Sequence, residues 1–378
     1  MPTDVVVVGL GVMGCATAYA LARRGQRVIG VEQFQIGHDR GSSHGDTRVI
    51  RLGYFEHPSY VLLLRSAYRL WRELETAAGE RLLYITGIAE IGPPDGQIVR
   101  GTLAASVQHD LPHEILDARE AMRRFPAFRL PAHYVAVLQP DGGYLLAERA
   151  VRAFARLAQS AGAELRQGVK ALGFTPRADG VTVETDRGAI DAGAVIFTAG
   201  AWLKTLVPQL PAQLPATRQV LCWFESLDRA LFAPGTFPVF ILENEHGIHY
   251  GFPPHDLPPC AGLLKIAQHN YGAAAVDPDS YDRTVRSADA TAVRAALERY
   301  LPAANGRLVA ATTCLYTMTP DADFLIDRLP GSPQVIVASP CSGHGFKFAP
   351  VIGDILADLA TSGAPGHDIS RFRLDRFA

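Results

Sequence analysis

The chain has 378 residues, 48% hydrophobic and 20% charged, with a formal net charge of −2. That length suits two domains, or one large domain with insertions, and leaves ample material for a core. The near-neutral balance excludes a general nucleic-acid or membrane-surface binder, and no apolar run approaches the length of a membrane span.

In chain order, residues 5–8 are four valines that suit a buried parallel strand. Gly9, Gly11 and Gly14 follow in G-x-G-x-x-G spacing. The first permits a tight turn, the second lets backbone approach a pyrophosphate, and the third lets helix and strand pack closely. A helix over 15–24 ends at Gly25, and a second strand over 28–31 closes at Glu32. A carboxylate there can accept hydrogen bonds from a ribose diol, while the helix N-terminus favours the pyrophosphate charge. Strand, turn, helix, strand and acid at these distances point to a bound dinucleotide, without separating NAD from FAD. The valine run is too short for a signal-peptide core and lacks a basic leader.

Residues 37–51 begin as a loop rich in Gly, Ser, Asp and His, beyond the second strand, where ligands collect in such sheets. A helix over 59–75 carries Leu63, Leu64, Ala67, Leu70, Trp71 and Leu74 on one stripe. A strand is expected over 83–91, helices over 102–109, 117–125 and 144–161, a strand over 163–169, and a hairpin of 181–185 with 189–191. Residues 194–198 form a buried strand running into Ala199-Gly200-Ala201-Trp202, a small-residue turn that lets backbone approach a ligand.

From 206 to 308 the pattern changes: proline is frequent, and alternating segments over 220–225, 239–242 and 248–252 suggest an antiparallel sheet. A helix over 288–301, a buried strand over 335–338, a glycine loop and a helix over 349–361 complete the chain. The fold class is α/β. A dinucleotide domain in three pieces (1–82, 141–205, 309–378) interleaves with an α+β domain (83–140, 206–308) built on the antiparallel sheet.

Five cysteines, Cys15, Cys222, Cys260, Cys314 and Cys341, form no C-x-x-C pair, so neither a disulfide framework nor a metal site is expected. A cytoplasmic protein without metal, nucleic-acid or membrane partners is the expectation.

Three clusters can carry chemistry. In 42–51, Arg48 and Arg51 are three apart, so one helical turn would put them on adjacent faces, and arginine holds a carboxylate through two parallel hydrogen bonds. In 265–269, Lys265, Ala267 and His269 share one face of a strand, as suits a pocket. The third cluster joins 314–321, with Cys314 and Tyr316, to the glycine loop 341–347, whose amides could face a ligand. A lone buried cysteine or loop histidine is more often structural, which applies to Cys314, Cys341 and His344 alike.

Together GLGVMG, SSHGDTRVIR, FTAGAW, GIHYGFP, LKIAQH, CLYTMTPDADFLID and SGHGFKFAP resemble the monomeric sarcosine oxidase and N-methyltryptophan oxidase family of flavoproteins, in family order and across nearly the whole chain. The resemblance implies a Rossmann-like, glutathione-reductase-type domain holding FAD, in a monomer. It implies a thioether from Cys314 to the flavin. It also implies flavin contacts from Gly9, Gly11, Val12, Met13, Gly14, Glu32, Ser43, His44, Thr47, Arg48, Val169, Ala199, Gly200, Gly343, His344, Gly345, Phe346 and Lys347. The substrate carboxylate would be held by Arg51 and Lys347, with Tyr250, Tyr316 and His269 by the substrate and Arg48 and His44 by the flavin ring. Lys265 would promote reaction of reduced flavin with oxygen. The implied activity is oxidation of a secondary α-amino acid, N-methyl or cyclic, with release of hydrogen peroxide. A flavin dehydrogenase serving a carrier protein, a non-catalytic flavin sensor and a nicotinamide dehydrogenase are the rival readings. Two departures stand out: Cys341, where family members often carry an aromatic, and a proline-rich 253–262 segment longer than in typical relatives, expected to reshape substrate entry.

Overall fold

The computed structural model describes residues 3–233, 235–270 and 272–377. The expected domain pieces run through the remaining positions 1, 2, 234, 271 and 378, which lie outside the described residues.

One sheet has eight strands. At its centre Thr3–Val8 pairs in parallel with Val28–Glu32 on one side and Gly188–Phe197 on the other, and Ser332–Ser339 continues the parallel set. Val5 to Val8 are buried because this strand is covered on both faces, hence the unbroken valine run. Helix Val12–Ala22 starts three residues earlier than expected, directly out of the glycine turn. It is apolar on every side because helices Ala147–Ser160 and Ala349–Thr361 pack against it, and Tyr60–Ala78 lies against those two.

The second sheet has nine strands and is largely antiparallel, with Val239–Asn244 running parallel to Ile88–Gly92. Leu308–Thr317 pairs with Ala216–Phe224 in this sheet, so the expected division at 308/309 falls inside a strand. A three-stranded sheet of Thr47–Ile50, Gly143–Leu146 and Leu83–Ile85 completes the set.

Three local expectations are corrected. The strand over 83–91 is two strands, Leu83–Ile85 and Ile88–Gly92, in different sheets; Gly87 at φ +73° turns the chain between them. The helix over 102–109 starts earlier and spans Gln97–Gln108. The helix over 144–161 starts at Ala147, because 143–146 are taken by a strand whose tertiary partners override local preference.

Candidate active site

A cavity of about 300 Å³ draws its wall from both large sheets. From the first sheet come the turn 8–13, Glu32, Val169 and 198–202; from the second come Ile241, Ile248, Tyr250, His269, Cys314 and Tyr316. The loop 340–347 and the 41–56 segment supply much of the remainder.

The glycine turn has the geometry a pyrophosphate needs. Gly9 sits at φ +90°, and a Cβ there would lie 2.8 Å from Ala199 Cα. A Cβ on Gly14 would lie 1.8 Å from the Gly9 carbonyl oxygen. Gly14 is therefore a packing glycine and does not itself line the cavity. A Cβ on Gly11 would come within 3.2 Å of Ser43 Oγ, which accepts a hydrogen bond from the Val12 amide at 3.1 Å. Glu32 accepts from the amides of Leu10 at 2.8 Å and Phe34 at 2.9 Å. That fixes its carboxylate on the cavity wall with lone pairs to spare for a diol.

Arg48 and Arg51 do not share a helical turn. Thr47–Ile50 is a strand and Arg51 follows its end, so both guanidiniums reach the cavity wall from extended chain, each with its own set of partners. Arg48 donates to the carbonyls of Ser42 (2.9 Å), Thr47 (2.9 Å) and His44, and lies over the Phe346 ring. Arg51 is sandwiched between the rings of Tyr54 and Phe55, with its guanidinium carbon 4.4 Å from each centroid. It donates to both carboxylate oxygens of Glu56, at 2.8 and 3.0 Å, and its Nε lies 3.4 Å from Glu90. Burial opposes the charge on Glu56, but Arg51 and then His344 and Lys347 hold its carboxyl well below the usual range. Glu90, wholly buried, is pushed the other way by desolvation despite Arg51.

Lys347 lies on the cavity wall and donates to the His344 carbonyl at 2.7 Å and the Tyr54 hydroxyl at 3.4 Å. Burial, then the Arg51 charge, lowers its pKa to about 7. Its backbone is pinned by the Trp71 indole, which donates to its carbonyl at 2.7 Å. His344 is held by Tyr54 at Nδ1 (2.6 Å) and the Ala322 carbonyl at Nε2 (2.9 Å), and stacks on Phe324.

The second sheet presents the remaining residues on one face. Strand register pairs Gln219 with Cys314, Thr217 with Tyr316, Leu221 and Tyr250 with Ala267, Trp223 and Phe252 with Lys265, and Ile248 with His269. Lys265 and His269 thus point the same way, as alternation predicts. Tyr316 and His269 meet through hydroxyl and Nδ1 at 2.9 Å. Lys265 is buried beneath this wall and does not line the cavity. Its ammonium donates to the carbonyls of Gly45 at 2.6 Å and Thr47 at 2.7 Å. Burial, then Arg48, lowers its pKa to about 7. Thr47 and His44 also lie behind the wall, and burial followed by Arg48 holds His44 neutral, with a pKa of about 3.

Cys314 and Cys341 both line the cavity but differ electrostatically. Burial raises both thiols; the Arg48 and Lys265 charges pull Cys314 back, whereas Cys341 is offset by the neutral hydroxyls of Ser339 and Thr317. Sequence reasoning missed Tyr54, Glu56 and Glu90. Glu56 carried a local signal, an acid five residues after Arg51; Glu90 sits on a distant strand and carried none. The 253–262 segment does not line the cavity at all. It packs behind Lys265, with Cys260 against Leu221 and Trp223.

Residues 4–359 match the DAO family of FAD-dependent oxidoreductases. The chain belongs to this family. Monomeric sarcosine oxidase of Streptomyces avermitilis is 40% identical over 99% of this chain and 98% of its own length. N-methyl-L-tryptophan oxidase of Salmonella typhi is 37% identical over 100% of both. Among solved structures, NikD, an unusual amino acid oxidase essential for nikkomycin biosynthesis, superposes with a TM-score of 0.87 at 29% identity, covering 99% of this chain and 98% of that one. L-proline dehydrogenase from P. horikoshii, at 24% identity and a TM-score of 0.84, shows the same fold over 100% of this chain and 98% of its own.

This DAO-family protein is an FAD-dependent, sarcosine oxidase-like amine oxidase. Its residues fit the cofactor: a side chain at Gly9 would strike the Ala199 backbone, one at Gly11 would crowd Ser43, and the Glu32 carboxylate is held at the cavity wall where it could accept from a diol. Among the described residues there is no group of His, Cys, Asp and Glu that could hold a metal, and no helix long and apolar enough to cross a membrane.

Proposed function

We propose that this oxidase acts on a secondary α-amino acid, N-methyl or cyclic, as a monomer. The observation that carries the reading is the pair of cations, Arg51 and Lys347, facing one cavity with Tyr250, His269, Tyr316 and Cys314. Arg51 Nη2 already holds the Glu56 carboxylate through both of its oxygens, so this guanidinium is placed to take a substrate carboxylate as well. Relatives named for sarcosine and N-methyl-L-tryptophan act on N-methyl amino acids, which supports the substrate class.

FAD, when bound, would supply the two-electron chemistry, accepting a hydride equivalent from the carbon beside the amine and returning two electrons to oxygen as hydrogen peroxide; the imine of an N-methyl substrate would be hydrolysed by water, and a cyclic substrate would give a cyclic imine. The protein's part is to hold and polarise. Arg51 and Lys347 would fix the carboxylate and so set the amine carbon in near-attack geometry. Tyr250, Tyr316 and His269 would shape the wall around the amine, with His269 neutral because burial lowers its pKa to about 3. Val49, Phe55, Ile241 and Ile248 add apolar surface. Arg48 and Lys265 would place positive charge near the flavin ring and where superoxide develops.

We further propose that Cys314 forms a thioether to the flavin. Of the two cavity thiols it alone has cations, Arg48 and Lys265, to favour its thiolate.

A peroxide-coupled screen of N-methyl and cyclic amino acids tests the reading. Peroxide at turnover rate under air is expected for at least one of them. Rapid dye reduction without peroxide would instead indicate a dehydrogenase serving a carrier, and failure of every secondary amino acid to bleach the flavin would overturn the substrate class.

A further inference from the structure

Behind the cavity, Lys265 is anchored to a strained turn. Gly45 lies at φ +92° and Asp46 at φ +72°, the latter a left-handed conformation that only glycine adopts without cost. The turn is held from three sides. Glu148 accepts from the amides of Gly45 (2.6 Å) and Asp46 (3.0 Å). Lys265 donates to the carbonyls of Gly45 and Thr47. On the third side, His255 Nε2 meets Asp46 Oδ2 at 2.8 Å.

The tautomer of His255 follows from its other nitrogen. Nδ1 accepts from the Leu257 amide at 3.2 Å, so the proton sits on Nε2 and is donated to Asp46. The ring lies nearly parallel to Tyr144, centroids 5.9 Å apart, and is only 8% exposed. His255 belongs to the 253–262 segment, so this contact gives that segment a place in the site it does not line.

We propose that His255 is a positioning residue for Lys265. By holding the Asp46 carboxylate away from the ammonium, it keeps the left-handed turn closed and both turn carbonyls aimed at Nζ. Without that donor, a carboxylate only 10% exposed loses its partner, and the Lys265 ammonium, whose charged form it favours, lies within its electrostatic reach. The ammonium would then be withdrawn from the flavin side. The inference rests on the proposed oxygen role of Lys265, and the substrate has no part in it.

The test uses holoenzyme whose flavin is reduced photochemically, so that no amino acid need be known, and follows reoxidation by dioxygen in a stopped-flow instrument. His255→Leu removes the donor; His255→Gln keeps one near the position of Nε2. His255→Leu is expected to slow reoxidation about tenfold, the scale of one hydrogen bond to a buried charge. His255→Gln should restore the rate to within about threefold. Amide exchange gives a second readout independent of turnover: it should rise in 44–48 in His255→Leu alone, with 5–22 unchanged as a control on folding. Equal losses in both variants, or no change in either rate or exchange, would overturn the inference. If the reduced wild-type flavin reacts with oxygen no faster than free flavin, it is the oxidase reading of Lys265 that fails.

Discussion

Lys265 and Lys347 are two amines brought to about pH 7, and their neighbours give each a different consequence. Lys347 lines the cavity, so its charge bears on anion binding. A carboxylate inhibitor is expected to bind less tightly as pH rises through about 7, and in Lys347→Met that dependence should flatten; flavin absorbance titrations at several pH values check this. Arg51→Gln, which leaves a neutral donor in the aromatic sandwich, should lower kcat/KM by about a hundredfold or more, the cost of losing a paired buried charge. Lys265 bears on stability. Its folded pKa is lowered, so between about 7 and 10.5 the unfolded chain binds more protons and stability rises with pH. The Tm of Lys265→Met relative to wild type should therefore be highest near pH 6.5 and fall as pH approaches 10. In stopped-flow kinetics the same variant should slow reoxidation far more than reduction; equal losses would count against an oxygen-specific role. Cys314→Ala should leave flavin extractable by acid and Cys341→Ala should leave it attached, with the reverse result moving the attachment site.

At the scale of elements, the glycines make the sharpest claims. A Cβ on Gly343, at φ +79°, would lie 2.6 Å from the Tyr316 ring and 2.8 Å from His269. Gly343→Ala should therefore push apart the Tyr316–His269 pair and impair substrate reduction while flavin remains bound, as absorbance and single-turnover kinetics would show. The nucleotide-binding elements were legible in the sequence because short-range rules govern them: a β-branched run, fixed glycine spacing and a terminal acid. So was the shared face of Lys265 and His269, since alternation is intrinsic to a strand. The helical relation of Arg48 and Arg51 was not. Their spacing fits a helix, but Gly143–Leu146 offers Thr47–Ile50 a ladder of backbone hydrogen bonds, and that long-range pairing decides the matter. The same strand removed the first turn expected of the helix over 144–161. Asp46 and His255 are 209 positions apart, and nothing local to either announces the other.

On the scale of the whole molecule, the cavity lies between two sheets, and whatever fills it ties them together. Flavin that binds only the folded chain should stabilise it by mass action, by about 4 kcal/mol when free FAD exceeds its Kd a thousandfold. In Cys314→Ala, where the proposed thioether cannot form, Tm should climb with added FAD. A Tm insensitive to FAD would mean that the cavity does not take the cofactor reversibly.

The common face of the second sheet also limits how this chain can change in length. Within Ala216–Phe224, Gly247–Phe252, Leu264–His269 and Leu308–Thr317, removing a single residue would invert every side chain beyond the cut, moving a thiol or an amine from the ligand side to the packed side. Only paired deletions keep the parity that puts Cys314, Lys265 and Tyr250 together. The 253–262 connection is free of that arithmetic, because it joins two strands without belonging to either. Variation in length is admissible there, in the link that carries His255 to the back of the site.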